Sequence, residues 1–287
     1  MTQRLTQRLT QRPTQRLWLD GIAFWSPTLP GWAAARQALR GEAGAAVSPA
    51  PRPTPELLAA NERRRAPDAV LVALEVATQA LAQAGHRAAD VASVFSSTHG
   101  DLAVTDAMCK TLAADPLLLS PTRFHHSVHN AASGYWAIGS GSAAASTALA
   151  SFNESFAVGL LEACVQCQAD PQPVLLVAYD TAACGPLASV NRSRGLLAVA
   201  LVLAPARGAH SRWAVDWAMH PGGVSIAPLR TAAALALAHN ASAAALPLFE
   251  ALAVGEGCTL AWPLSAALHL QIQLHRLPQA DGFEAAA

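Results

Sequence analysis

Residues 125–163, HHSVHNAASGYWAIGSGSAAASTALASFNESFAVGLLEA, are the stretch of this sequence that decides the fold. The pattern predicts a small-residue helix over 129–139, a β-branched strand over 146–150 and a second helix that begins near Asn153. Alanine and glycine let backbones approach closely, so a segment with so few charges is predicted to lie buried deep in the molecule. A strand that turns sharply into a buried helix can also present a nucleophile, because the helix N-terminus offers free N–H groups and positive potential.

Two pieces of this stretch carry a known pattern. Residues 129–134, HNAASG, and residues 147–151, TALAS, resemble the turn and the strand that lead to the nucleophile of β-ketoacyl synthases. The resemblance places Asn153, to within about one residue, in the nucleophile column, which is the aligned position at which the synthases carry their catalytic cysteine. An amide cannot be acylated as a thiolate can. The nearest cysteine, Cys164, lies about three helical turns further on, so no catalytic residue is expected in that column.

The composition of the chain fits a globular protein that has a partner. Hydrophobic residues make up 52% of the 287 residues and charged residues only 13%, which is little for the surface of a lone monomer. Nineteen basic and nineteen acidic residues cancel, so no electrostatic footprint for nucleic acid is present. The apolar runs fall short of the about 18 residues that a membrane span needs. Five irregularly spaced cysteines do not form a disulfide framework, and a cytoplasmic location is expected.

The rest of the chain alternates strand-like and helix-like segments, which predicts an α/β fold. The apolar run over 69–84 predicts a long helix that Gly85 ends, and the run over 173–179 predicts a strand covered on both faces. The resemblance implies the thiolase-like layered fold of the synthases, in which helices sandwich mixed sheets. Further strands are expected over 17–25, 90–98, 196–204, 212–218, 257–261 and 268–274, and further helices over 229–239 and 241–254.

Three parts are expected along the chain. Residues 2–17 read TQRL-TQRL-TQRP-TQRL, a repeat with no apolar face, which predicts that residues 1–16 form a disordered tail. Residues 17–207 correspond to the ketosynthase-like N-terminal half, and the resemblance fades beyond it. Residues 208–287 are predicted to be a truncated C-terminal portion that packs on the same fold, because the chain is much shorter than a full synthase.

Three side chains near predicted strand-to-helix turns are candidates for chemistry. Ser151 and Ser155 are candidate nucleophiles, and His99 is a candidate general base. A histidine at such a turn is more often bonded to nearby backbone. The histidines at positions 125, 126 and 129 place at most two rings on one face, whereas zinc would need a third ligand, so neither a metal nor another cofactor is expected.

The C-terminal half lacks a further family feature. Ketosynthases resemble one another in two histidines, in His-Gly-Thr-like and Gly-His-like motifs, that polarise the thioester. None of the histidines after Gly208 stands in such a motif. A synthase-like chain without the cysteine and both histidines is similar to the chain length factor subunits of bacterial type II polyketide and aryl polyene-like systems. The resemblance implies a non-catalytic subunit that pairs with a catalytic β-ketoacyl synthase in fatty acid or polyketide biosynthesis, with an acyl carrier protein as a further candidate partner.

The resemblance also assigns an interface and a pocket. Such subunits pair across the strand before the elbow, the sharp turn from strand to helix that carries the nucleophile in the synthases. Here that strand comprises Ser146, Thr147, Ala148, Leu149 and Ala150. Bulky side chains near the elbow would limit the growing acyl chain, because a closed apolar pocket has no room for a further unit. The candidates for this wall are Tyr135, Trp136, Phe152 and Phe156, and ordinary core packing explains them equally well.

A second hypothesis belongs to a different class. The chain could be a divergent acyltransferase or condensing enzyme that acts alone through Ser151, Ser155 or His99. This hypothesis predicts turnover or a covalent adduct of the isolated protein, whereas the subunit hypothesis predicts neither.

Overall fold

The computed structural model describes residues 15–42, 52–191 and 193–278. The strands are β1 (Gln15–Ser26), β2 (Leu29–Pro30), β3 (Ala92–Ser96), β4 (Ser146–Leu149), β5 (Val174–Asp180), β6 (Leu197–Ala204), β7 (Trp213–Pro221), β8 (Cys258–Ser265) and β9 (Leu268–Arg276). The α-helices are α1 (Trp32–Leu39), α2 (Ala60–Arg65), α3 (Asp68–Ala84), α4 (Leu102–Ala114), α5 (Pro121–Ser127), α6 (Ala131–Ser140), α7 (Ser155–Ala169), α8 (Ala232–Leu237) and α9 (Leu246–Val254).

The strands form one mixed sheet in the order β4-β3-β5-β6-β1-β7-β9-β8, with β2 paired to β1. Strand β3 is parallel to both β4 and β5, and the other pairs are antiparallel. Helices cover both faces of the sheet: α1, α7 and α9 contribute to one hydrophobic cluster and α3 and α6 to the other. The predicted α/β fold is therefore confirmed.

Helix α3 is the long helix that the apolar run predicts. Gly85 ends it in the left-handed conformation with a φ of 68°, which glycine adopts without steric cost. The helix packs very closely against β1, because a Cβ atom on Gly21 would lie 2.1 Å from the carbonyl oxygen of Ala80. This contact requires a glycine in the middle of a buried strand.

The first strand begins earlier than the sequence predicts. Gln15 and Arg16 belong to β1, although both lie within the predicted tail, and the rest of that tail (1–14) lies outside the described residues. The Arg16 guanidinium forms an ion pair with Asp216 of β7, with 2.6 Å between Nε and Oδ1. This pair holds the pKa of the Asp216 carboxyl below its ordinary value. Because β7 pairs with β1, residues after 208 continue the same sheet.

The prediction that residues 125–163 lie deep in the molecule is wrong for the middle of the segment. Strand β4 is an edge strand, and residues 141–150 are all partly or fully exposed. Among the described strands, only β3 pairs with β4. The small residues of this segment therefore lie at the surface of the chain, at an open sheet edge.

Candidate functional site

The chain turns sharply between β4 and α7. After Leu149, a single 3-10 turn (Phe152–Glu154) leads directly into α7 at Ser155. Phe152 has a φ of 48° and is the one non-glycine residue with positive φ in the part of the chain that the structure describes. Such a conformation is strained for a residue with a Cβ atom, and strained strand-to-helix turns are where many enzymes present a nucleophile. The strained position is thus Phe152, one residue before Asn153, which the sequence places in the nucleophile column.

The two candidate serines serve the turn itself. The Ser155 hydroxyl accepts a hydrogen bond from the Ser151 N–H at 2.9 Å and donates one to the Phe152 carbonyl at 2.7 Å. Ser155 is buried, and both of these bonds close the turn. Among the described residues, no histidine or carboxylate is hydrogen-bonded to either serine hydroxyl, so the structure provides neither with a base.

His99 lies beside the elbow, and in the described part of the chain it is hydrogen-bonded to neither serine. Its Nε2 atom accepts a hydrogen bond from the side-chain amide of Asn191, and its ring meets Phe152 edge-on with 6.4 Å between centroids. The Asn191 side chain in turn accepts a bond from the Ser193 N–H at 2.7 Å. His99 is therefore a held side chain in the wall of the elbow, and among the described residues no hydroxyl or thiol is hydrogen-bonded to its ring.

A buried carboxylate fixes the segments behind this wall. Asp180, the last residue of β5, accepts hydrogen bonds from the Ser97 hydroxyl (2.9 Å), the Thr98 N–H (2.9 Å) and the Ser242 hydroxyl (2.8 Å). Burial raises the pKa of the Asp180 carboxyl above its ordinary value, although the hydrogen bonds act in the opposite direction. The carboxylate ties the turn after β3 to the C-terminal portion of the chain.

A cavity of about 500 Å³ opens beside the elbow. Phe152 and Asn153 line it on one side, and Leu229, His239 and Pro247 from the C-terminal portion line it on the other. No cysteine, lysine or carboxylate of the described residues lines this cavity. The cavity can accommodate an apolar group, and the lining hydroxyls of Thr98 and Ser193 donate to the backbone carbonyls of Phe152 and Thr181.

Sequence reasoning missed several residues of this site: Asp180, Asn191, His239 and Asn240. Asp180 carries a readable signal, because an acidic residue directly follows the buried run over 173–179. The other three lie in connecting segments whose approach to the elbow depends on the sheet order, so they have no comparable local signal.

Comparison with known sequences identifies the family. Residues 32–242 match the family described as "Beta-ketoacyl synthase, N-terminal domain". The chain belongs to this family. No curated protein sequence matches the chain.

Solved structures of ketosynthase complexes share the fold. A chain of the ketosynthase ApeO in complex with its chain length factor ApeC, from Xenorhabdus doucetiae, is 20% identical with a TM-score of 0.68, and the match covers 91% of this chain and 100% of that one. The ishigamide ketosynthase/chain length factor gives 16% identity, a TM-score of 0.68 and coverage of 93% and 100%. A chain of the AntDE:AntF complex, a type II PKS acyl-carrier protein with its ketosynthase bound to the hexaketide, is 11% identical with a TM-score of 0.66, and the match covers 92% of this chain and 100% of that one. These similarities confirm the thiolase-like layered fold.

The four predicted wall residues of this ketosynthase-like chain do not share one pocket. Phe152 lines the elbow cavity. Trp136 instead packs on Phe95 in the layer of α3 and α6, with 6.5 Å between the ring centroids. Phe156 packs on Trp262 on the opposite face of the sheet, with 5.7 Å between the ring centroids. Tyr135 borders a separate depression. The grouping fails for three of the four residues because the sheet separates α6 from α7, and core packing accounts for Trp136 and Phe156.

The predicted interface residues lie at the open edge of the synthase-like sheet. From Ser146 to Ala150 every residue is at least partly exposed, and the Thr147 hydroxyl accepts a hydrogen bond from Gln166 at 2.9 Å. Large apolar side chains on the neighbouring elements are also exposed: Ile138 by 80%, Phe152 by 49% and Val165 by 41%. Exposed apolar side chains around an open strand are typical of an interaction surface.

The remaining candidate groups have separate surroundings in this family member. His126 Nε2 lies 2.8 Å from the Tyr135 hydroxyl, and His129 Nε2 lies 2.8 Å from the Ser97 carbonyl oxygen. In the described ranges, no three histidine, cysteine or acidic side chains come together as ligands for a metal ion. None of the helices that the structure describes has the length and apolar character to cross a membrane.

Proposed function

We propose that this chain is a non-catalytic, chain length factor-type subunit that pairs with a catalytic β-ketoacyl synthase in fatty acid or polyketide biosynthesis of the aryl polyene-like kind. One observation carries the proposal: the strained elbow, which presents the nucleophile in many enzymes, here holds the phenyl ring of Phe152, followed by the amide of Asn153. Neither side chain can form a thioester. The similarity to chains from ketosynthase and chain length factor complexes supports the same proposal.

The open edge of β4 is the proposed contact with the synthase. The Ser93 N–H donates to the Ala145 carbonyl (2.9 Å) and the Ser97 N–H to the Leu149 carbonyl (3.2 Å). Because backbone groups alternate along a strand, the N–H and C=O groups of Ser146, Ala148 and Ala150 point away from β3. These groups offer a ready template for a strand of the partner, so that one sheet extends through both proteins.

Phe152 is the proposed wall for the acyl chain. Its ring is half exposed, borders the elbow cavity and is braced edge-on by His99. A braced aromatic ring stops a growing chain sterically, because each further unit would have to displace it. An acyl carrier protein, as found in the AntDE:AntF complex, is the proposed donor of the chain to the synthase partner.

Pairing is tested by capture of the partner and by substitution at the edge. Tagged wild-type protein should retain a synthase with an active-site cysteine in a one-to-one complex, as measured by native mass spectrometry of the protein from its host. Ala148→Pro removes an outward N–H and places a ring against the partner, so it should weaken the complex about 10-fold or more. The matched control Ala148→Ser keeps the N–H and should bind normally. Equal binding by both variants, or recovery of a homodimer alone, would contradict the proposed pairing.

The wall and the absence of catalysis have separate tests. In the reconstituted complex, Phe152→Ala should shift the products toward longer acyl chains while the synthase stays active. Unchanged product length would remove Phe152 from the wall. The isolated chain, incubated with an acyl thioester, should show no added acyl mass, whereas a covalent adduct would favour the divergent acyltransferase.

A further inference from the structure

A second cavity, of about 190 Å³, lies far along the sheet from the elbow. Three arginines border it: Arg36 of α1, Arg212 just before β7 and Arg276 at the end of β9. Trp32 and Trp213 also line it. The cavity thus combines three arginines with the partly exposed Trp32 and the buried Trp213, contributed by both halves of the chain.

The positive charge at this cavity is poorly compensated. In the described part of the chain, no carboxylate lies within ion-pair distance of the three arginines, whereas Arg16 and Arg52 do form ion pairs. Arg276 donates to the Gly255 carbonyl at 3.2 Å, a neutral acceptor. The one acidic residue that lines the cavity is Asp20.

The buried Asp20 carboxylate is already engaged. One oxygen accepts a hydrogen bond from the Ser211 hydroxyl at 2.5 Å, and the other lies 3.4 Å from His86 Nε2. Three arginines against one aspartate leave the lining with a net formal charge of +2. A concave site with this charge attracts anions.

We propose that this cavity binds a small organic anion whose phosphate or carboxylate group is held by Arg36, Arg212 and Arg276 and whose apolar part rests against Trp32 and Trp213. Guanidinium groups match the geometry of carboxylate and phosphate oxygens, and indole rings accept planar or apolar groups. The volume limits the ligand to a compact molecule.

The anion site does not depend on the proposed pairing function. Its lining shares no residue with the elbow cavity. Strands β3, β5 and β6 separate β4 from β1, which contributes to the anion cavity. A partner strand added to β4 therefore does not pair with the strands that line this cavity.

Calorimetric titration of the full chain tests the proposal with phenyl phosphate, benzoate, inorganic phosphate and uncharged phenol. Phenyl phosphate or benzoate should bind saturably and more weakly at high salt, and the tighter of the two identifies the anionic group. Phenol should not bind measurably. Inorganic phosphate should bind more weakly than phenyl phosphate, because it cannot contact the tryptophans.

Substitution of the arginines locates the binding. Arg36→Gln and Arg212→Gln should each weaken binding of the better probe about 10- to 100-fold, the loss expected for a charge-assisted hydrogen bond. Both side chains are exposed, and an unchanged melting temperature would show that the fold is intact. The matched control is Arg64→Gln, an exposed arginine on α2 that does not line the cavity, and it should bind normally. Equal weakening by all three variants, or no saturable binding of either aromatic anion, would overturn the proposal.

Discussion

Replacement of Phe152 by glycine and by alanine measures the strain at the elbow. At a φ of 48°, a residue with a Cβ atom costs about 1–2 kcal/mol relative to its preferred conformations, and glycine avoids this cost. Glycine loses about 0.5–1 kcal/mol through the greater freedom of the unfolded chain. The difference between these values predicts that Phe152→Gly is more stable than Phe152→Ala by about 0.5–1 kcal/mol. Both variants lose the partial burial of the ring, so that contribution cancels in the comparison.

Urea unfolding of the two purified variants, monitored by circular dichroism, measures the free energy of unfolding of each. The matched control is the same pair of substitutions at Asn153, which is not among the residues with positive φ. There alanine should be more stable than glycine by about 0.5–1 kcal/mol, so the order of the two variants reverses between adjacent positions. If Phe152→Ala is as stable as Phe152→Gly, the elbow is not strained at this residue and the assignment of the strained position to Phe152 is refuted.

Three further predictions concern the interior. Burial raises the pKa of the Asp180 carboxyl, so the stability that its protonated form contributes is complete at low pH and is lost as the pH rises from about 4 through the raised pKa. The free energy of unfolding of Asp180→Asn relative to wild type should therefore increase from about pH 4 to about pH 7 in urea titrations. A difference that stays constant with pH would contradict the raised pKa. Burial raises the pKa of the Cys167 thiol to about 12, so this thiol should react slowly with an alkylating reagent. Peptide mapping after brief alkylation of the folded protein should find exposed Cys109 modified and Cys167 intact. Equal modification of the two cysteines would show that α7 opens readily. Gly21→Ala places a methyl group against the Ala80 carbonyl and should destabilise the protein by about 3 kcal/mol in chemical unfolding, whereas wild-type stability would show that β1 and α3 can separate freely.

Much of the fold could be predicted because its signals are local. The apolar run and closing glycine of α3, the continuous apolar run of β5 and the alternation in β9 each lie within one segment. The resemblance identified the family from the residues around β4, and the family match confirms it. The start of β1 was missed, because Arg16 joins the strand through an ion pair with Asp216, a residue distant in sequence.

The candidate site was less predictable than the fold. Helical and strand periodicity shows that Trp136 and Phe156 are apolar positions, but it does not show which face of the sheet each helix covers. The sequence also does not show that β4 would be an edge strand, because small residues fit a buried segment and a close interface equally well.

The sequence by itself determined the family, the α/β class and the absence of a cysteine at the elbow, because each depends on residue identity and local pattern. Only the tertiary structure decided that Phe152 holds the strained position, that Asp180 ties the turn after β3 to Ser242, and that three arginines border one cavity. These features depend on backbone dihedrals and on contacts between residues far apart in the chain. Such contacts are set by the order of strands in the sheet, which no local segment of the sequence encodes.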